Sequence, residues 1–155
     1  MTRPALLLTP ATAARDGVRV FPLPLPLPLP LPTVGQIRWP MPFAHEKLDV
    51  YNLALDFLAL ADEVVGQLPR GRGHLADQLA RASTSIVLNL AEGAGKFSKP
   101  DKRRYYLSSV GSTTESAAIF DVFQRLKLVN AEQHSVAKGM LERIAAMLVK
   151  LAKAQ

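Results

Sequence analysis

Residues 78–96 read Gln78-Leu79-Ala80-Arg81-Ala82-Ser83-Thr84-Ser85-Ile86-Val87-Leu88-Asn89-Leu90-Ala91-Glu92-Gly93-Ala94-Gly95-Lys96. Leu79, Ala82, Ile86 and Leu90, with Leu75 ahead of them, recur at helical steps and share one face. Ser85, Asn89, Glu92 and Lys96 follow steps of four, three and four on a neighbouring face. Gly93 and Gly95 are expected to stop the helix, which then runs from about His74 to Ala91 or just beyond. An apolar stripe beside a polar one describes a helix that packs against others of its kind, and the flanking sequence supplies them.

Downstream, Ser98-Lys99-Pro100-Asp101 has the pattern of a capping box with proline in the first turn: Ser98 can accept from the amide three residues on, and Asp101 can reach back. The third helix continues to about Lys127 through Val110, Ala117, Phe120 and Phe123. Asn130 to Gln133 repeats the capping logic for a fourth helix, whose buried side is read as Val136, Met140, Ile144, Met147 and Leu151. Upstream, Val50, Leu53, Phe57, Leu60 and Val64 place a first helix over about Glu46 to Gln67, ended by Leu68-Pro69-Arg70-Gly71-Arg72-Gly73. A second stripe on that helix, Tyr51, Leu55, Leu58 and Val65, is more than one bundle seam requires and is expected to be hidden between subunits. Four helices joined by short connections predict an all-α, antiparallel up-down-up-down four-helix bundle over residues 45–155, each helix a rod of roughly 30 Å. Nothing reads as a strand or an internal repeat.

Residues 1–44 are a different kind of chain. Pro22, Pro24, Pro26, Pro28, Pro30 and Pro32 alternate mainly with leucines, and proline at every second place forbids a continuous helix. This segment reads as an extended polyproline-type rod within a disordered low-complexity tail. It suits either a ligand for proline-binding domains or a spacer. A translation start at Met41, where the composition changes, would leave almost nothing ahead of the bundle. The apolar run Leu6–Leu8 after Arg3 is too short for a signal peptide, and no stretch has the roughly 18 apolar residues of a membrane span.

A chain of 155 residues holds one domain of ordinary size, and 48% hydrophobic with 21% charged residues is normal for a globular protein. The absence of cysteine removes disulfides, thiolate metal sites and cysteine nucleophiles, and fits a cytoplasmic protein. His45, His74 and His134 are scattered with no partner at metal-ligand spacing, so neither a metal nor another cofactor is expected. Gly93-Ala94-Gly95-Lys96 hints at a phosphate loop, but Leu90 and Phe97 stand where that pattern needs glycine and Ser or Thr. Glu92 and Glu115 are the one pair open to acid–base work, and nothing supports them with a nucleophile or a ligand. The chain is therefore read as no enzyme.

Two features are left. The first is polar. The stripe Ser85, Asn89, Glu92 and Lys96 on the second helix matches Ser108, Ser112 and Glu115 on the third. Facing each other, these residues form either a network that fixes the helix pairing or the wall of a ligand pocket. The second is basic. Lys96, Lys99, Lys102, Arg103 and Arg104 enclose only one acid, Asp101, and interleave with Phe97, Tyr105 and Tyr106. Lysine and arginine neutralise phosphates and aromatic faces stack on unpaired bases, whereas the plain alternative is a solvated first turn with its aromatics buried. Arg70 and Arg72 form a smaller basic loop at the other end of the bundle. The formal charge is +6 with a pI near 9.9, half of it in the tail, so a domain of +3 depends on how that charge is distributed.

Gln78–Ser83, Asn89–Lys96 and Gly111-Ser112 with Glu115, preceded by Glu46-Lys47-Leu48-Asp49-Val50-Tyr51-Asn52-Leu53-Ala54, resemble the bacterial four-helix-bundle family also called the 23S rRNA intervening-sequence protein family, over about residues 43–150. The resemblance implies a four-helix bundle, commonly a ring-shaped homopentamer, with no known catalysis. Some members are encoded inside ribosomal RNA genes, and a distant relative is the nucleic-acid-binding accessory protein of diversity-generating retroelements. Leu88 departs from a frequent proline, Lys96 from a common arginine, and Ser109-Val110 from an Ile-Ala type of pair. A lysine at position 96 weakens any bidentate contact there. The resulting expectation is a non-enzymatic homo-oligomer, a pentamer by resemblance, that binds RNA or DNA through basic surfaces. The alternative is a homo-oligomeric protein-interaction scaffold without nucleic-acid binding.

Overall fold

The structure, a computed structural model, describes residues 43–155; the proline–leucine segment and the proposed start at Met41 lie outside them. A 3-10 turn, Ala44–Lys47, precedes four α-helices: α1 Asp49–Gln67, α2 Gly73–Gly95, α3 Lys99–Arg125 and α4 Ala131–Lys153. No strand occurs among the described residues. Each helix lies against its neighbours in sequence, and α4 also lies against α1. The all-α, four-helix fold read from the sequence is the observed one.

Aromatic rings occupy the centre. Phe57 of α1 and Phe120 of α3 meet at 6.0 Å between centroids, and Phe123 joins Phe120 at 5.9 Å, both pairs tilted. Leu79, Ile86 and Leu90 of α2 and Leu141, Ile144 and Leu148 of α4 close around them, all fully buried. Each such side chain contributes about 1.5–3 kcal/mol by leaving water.

The ends of the helices follow local chemistry. Ser98 Oγ accepts from the Asp101 amide at 3.2 Å and starts α3 with Pro100 in its first turn, without the return bond from the Ser98 amide to Asp101 that a full capping box needs. Asn130 Oδ1 accepts from the Gln133 amide at 2.7 Å while Gln133 Oε1 accepts from the Asn130 amide at 3.0 Å, a complete capping box for α4. The turn into α2 uses Gly71 at φ +90°, a conformation open to glycine. At the end of α3 the Leu128 amide donates to the Phe123 carbonyl and the Lys127 amide to that of Gln124. This double closure puts Lys127 at φ 57°, a place where glycine is the usual residue.

Several expectations need correction. The buried line of α1 is Val50, Ala54, Phe57, Ala61 and Val64, with Leu53 and Leu60 half-buried beside it. α1 begins at Asp49, because Leu48 is extended (φ −96°, ψ 119°) and separates the 3-10 turn from the helix. α2 runs through Gly93 to Gly95. Gly93 is helical and buried for the sake of a close approach by α3, described below, and does not act as a stop. On α4 the buried line is Ala137, Leu141, Ile144, Leu148 and Ala152, one residue on from the line read in the sequence, with Val136 49% exposed. The two lines cross at Ile144 and are both built of steps of three and four. The alanine-ended one faces inward, and Met140, Met147 and Leu151 flank it half-buried.

On α1 the second stripe is mostly absorbed within one chain: Tyr51, Leu58 and Val65 pack against the core edge, leaving Leu55 38% exposed.

Candidate functional site

The turn between α2 and α3 is made by Lys96 and Ser98, both extended, with Phe97 between them. That geometry drives Phe97 outward until it is fully exposed. Tyr106 goes the other way, into the core at 4% exposure, where burial pushes its phenol above the ordinary tyrosine range. It lies along Gly93 so closely that a Cβ there would sit 2.8 Å from its Cε1.

Tyr105 lies between these extremes and gathers charge. Lys96 Nζ stands 4.8 Å and the Arg104 guanidinium 4.7 Å from its ring centroid. Lys96 Nζ also pairs with Glu92 Oε1 at 3.0 Å. The Tyr105 hydroxyl and then Lys96 hold the Glu92 carboxyl below its usual range, and Glu92 in turn raises the Lys96 ammonium. Of the five cations in the cluster, Lys96 and Arg104 are thus tied to Tyr105. Lys99, Lys102 and Arg103 take part in no ion pair among the described residues. Arg70 and Arg72 lie before the other end of α2, roughly 35 Å away by helix rise.

These three cations stand where α3 does not favour them. Lys99 and Lys102 occupy its first turn and Arg103 follows. The N-terminus of a helix carries the positive end of the macrodipole, and a cation there is unfavourable by about 0.3–1 kcal/mol at low salt. Lys99 also has Lys102 and Arg103 as like-charged neighbours three and four residues on, each worth a few tenths of a kcal/mol of repulsion. Asp101 alone offsets this.

The polar stripe divides. Ser85 Oγ and Ser112 Oγ are 2.9 Å apart across α2 and α3, and Asn89 Nδ2 donates to both the carbonyl and the hydroxyl of Ser85 at 2.9 Å. Glu92 belongs to the Tyr105 group, Glu115 is exposed, and Ser108 donates back to the Arg104 carbonyl at 3.2 Å. The face that α3 turns inward is one residue on: Ser109, Thr113 and Ser116, all buried, with Ser109 Oγ donating to the Ile86 carbonyl at 2.8 Å. Gly93 against Tyr106, Ile86 against Ser109 and Ser85 against Ser112 show that numbering falls on α2 as it rises on α3, so this pair is antiparallel.

Sequence reading missed two groupings. One is the grip of Lys96 and Arg104 on Tyr105; the i, i+4 spacing of Glu92 and Lys96 was its only visible trace. The other joins α3 to α4. His134 Nε2 lies 2.8 Å from Asp121 Oδ1 and Lys138 Nζ 2.9 Å from Oδ2. His134 and Lys138 share a helix face at i, i+4, which was legible, but their partner across the turn was not.

The family described as 23S rRNA-intervening sequence protein matches residues 46–150. A crystal structure of a protein with unknown function from the S23 ribosomal protein family of Bacteroides thetaiotaomicron is similar with a TM-score of 0.63 at 19% identity, over 67% of this chain and 95% of that one. At that identity the likeness is one of fold. No curated protein matches the chain. The family pattern spans all of α1 to α3 and α4 as far as Lys150, and with the four-helix fold in place the chain belongs to the 23S rRNA-intervening sequence protein family.

Proposed function

We propose that the chain is a non-enzymatic, cytoplasmic homo-oligomer that binds nucleic acid through the basic surface at the start of α3. The observation that carries this reading is the placement of Lys99, Lys102 and Arg103 at a helix end that repels them, with no ion pair among the described residues to compensate. Charges kept against the interest of the fold fit a role toward an external polyanion better than a merely solubilising one. Members of the family carry a ribosomal RNA connection in their name, which is consistent with such a partner. Glu92 suits catalysis poorly: it is half-exposed, and Tyr105 and Lys96 hold its carboxyl in the charged form, which makes it a weak base. No helix of the described residues is long and apolar enough to cross a membrane.

Assembly is supported by the outer face of α2. Leu88 is 62% exposed there, among Ala80, Thr84, Ser85 and Asn89 and flanked by Arg81 and Glu92, a surface that a second copy could cover. Oligomerisation would repeat the basic site around the assembly and add avidity. The test is a salt titration of RNA and DNA binding, with light scattering on the same sample. Phosphate contacts give a steep fall of log affinity with log salt. A monomer at micromolar concentration removes the assembly, and the absence of salt-sensitive binding leaves the interaction scaffold as the better reading.

A further inference from the structure

We propose that the α2–α3 turn selects unpaired nucleotides, with Phe97 as the platform on which a base stacks. The inference rests on the nucleic-acid reading above and names its substrate class. Three aromatic residues lie among the cations, but they are not equivalent. Tyr106 is buried under Gly93. Tyr105 already has Lys96 and Arg104 against its ring. Phe97 alone presents an uncovered face, fully exposed on a turn fixed by extended residues on both sides. No described residue of its own chain shelters it.

A phenyl ring held in water beside cations that form no ion pair among the described residues matches the chemistry of a single strand. The base offers a π-face to the ring while Lys99, Lys102 and Arg103 neutralise the phosphates on either side. In a duplex the base faces are already stacked on one another, so the same turn could use only its charges. Glu92 further narrows the site: it engages Lys96 and turns that lysine into a support for Tyr105, leaving the phosphates to the three cations of α3. An anionic membrane surface also attracts basic and aromatic side chains. However, the residues that follow Phe97, from Ser98 to Arg104, include no large apolar side chain, and one ring gives too little apolar area for an interfacial anchor.

The experiment measures fluorescence anisotropy of the full chain with a labelled uridine-rich single-stranded RNA and with an RNA duplex of the same length. Cosedimentation with phosphatidylserine-containing vesicles and light scattering of each variant accompany it. Phe97→Ala should lower single-strand affinity by roughly 5- to 150-fold, the range of one base stack removed, and leave duplex affinity unchanged. Phe97→Trp should restore it. Both variants should melt like the parent, since Phe97 buries nothing. Equal effects on both RNAs, or none on either while salt-sensitive binding persists, overturn the stacking role and leave the broader reading intact. Loss of vesicle binding without loss of single-strand binding assigns Phe97 to a membrane, and a change of oligomeric state assigns it to a subunit interface; either overturns the inference. If the parent binds neither RNA in a salt-sensitive way, the nucleic-acid reading falls, and this inference with it.

Discussion

Tyr106 lies against the backbone of Gly93 with no room for a methyl group between them: an added Cβ would stand 2.8 Å from Cε1 of the ring and 3.0 Å from Cβ of Tyr105. The glycine serves this close approach and not a turn, since its backbone is helical. Gly93→Ala should therefore destabilise the fold by about 1–3 kcal/mol, the usual effect of overfilling a packed site. Two residues on, Gly95 has nothing within 4 Å. Gly95→Ala should be neutral or stabilise by up to about 1 kcal/mol through helix propensity. Urea denaturation of the two variants checks the contrast, and equal midpoints would refute it.

Ser109 works the same seam further along α3. Its hydroxyl donates to the Ile86 carbonyl, and its small size lets α3 approach α2. Ser109→Ala should cost about 1 kcal/mol through removal of the hydrogen bond. Ser109→Leu should cost more, because it also forces the helices apart. If leucine is tolerated as well as alanine in thermal melts, close approach is not what the serine provides.

The serines of α3 also show where sequence reading stops. The run Ser108-Ser109-Val110-Gly111-Ser112-Thr113-Thr114-Glu115-Ser116 contains two lines of polar residues with the same helical spacing, Ser108-Ser112-Glu115 and Ser109-Thr113-Ser116. Periodicity fixes the helix but not its rotation, because too few large apolar residues lie in this stretch to set the phase. α4 has the same ambiguity between the lines that share Ile144. On α2 Leu79, Ile86 and Leu90 break it, and there the buried face was legible; on α1 Val50, Phe57 and Val64 were legible, but Ala54 and Ala61 complete the line in place of Leu53 and Leu60. Capping is a nearest-neighbour matter, so Ser98 and Asn130 could be read directly. The pairing of Asp121 with His134 and Lys138 depends on how two helices meet and could not. At the candidate site the cations were visible in the sequence; that Phe97 faces water while Tyr106 faces the core was not.

Lys127 holds φ 57° at the position after α3 where glycine is favoured. Lys127→Gly should raise stability by about 1 kcal/mol, the left-handed strain relieved less the added freedom of the unfolded chain. The melting temperature would rise, and an unchanged or lower value would show that the lysine side chain makes a compensating interaction.

Asp121 accepts from His134 and from Lys138, and these bonds, His134 first, hold its carboxyl below the usual aspartate range. A depressed folded-state pKa gives stability that is present above the unfolded value and lost as pH falls through the folded one. The loss should therefore develop below about pH 4. Asp121 is half-exposed, so solvent screening limits the effect to below about 1 kcal/mol. Melts of the parent and Asp121→Asn from about pH 3 to pH 7 should differ by a constant amount at the upper end and converge at the lower. A difference that persists unchanged to the acid end would contradict the ionic origin.

The basic start of α3 should show stability and binding moving in opposite directions. Lys99, Lys102 and Arg103 lie at the positive end of the helix dipole, close to one another and with no ion pair among the described residues. Replacing all three with glutamine removes the repulsion from the dipole and from like charges, so the variant should be more stable by up to about 1 kcal/mol at low salt. High salt should erase that gain, because Lys99 and Arg103 are exposed and Lys102 only half-buried, so their charges are screened. The same substitution should weaken nucleic-acid binding across sequences and flatten the salt dependence, by roughly 0.7–0.9 in slope for each phosphate no longer neutralised. Arg70→Gln with Arg72→Gln, at the other end of α2, is the control and should change neither slope nor affinity as much. A solubilising role for the cluster predicts a different pair of results: the stability gain without any change in binding. Chemical denaturation and a salt titration on the same preparations therefore separate a surface kept for a polyanion from one that is merely charged.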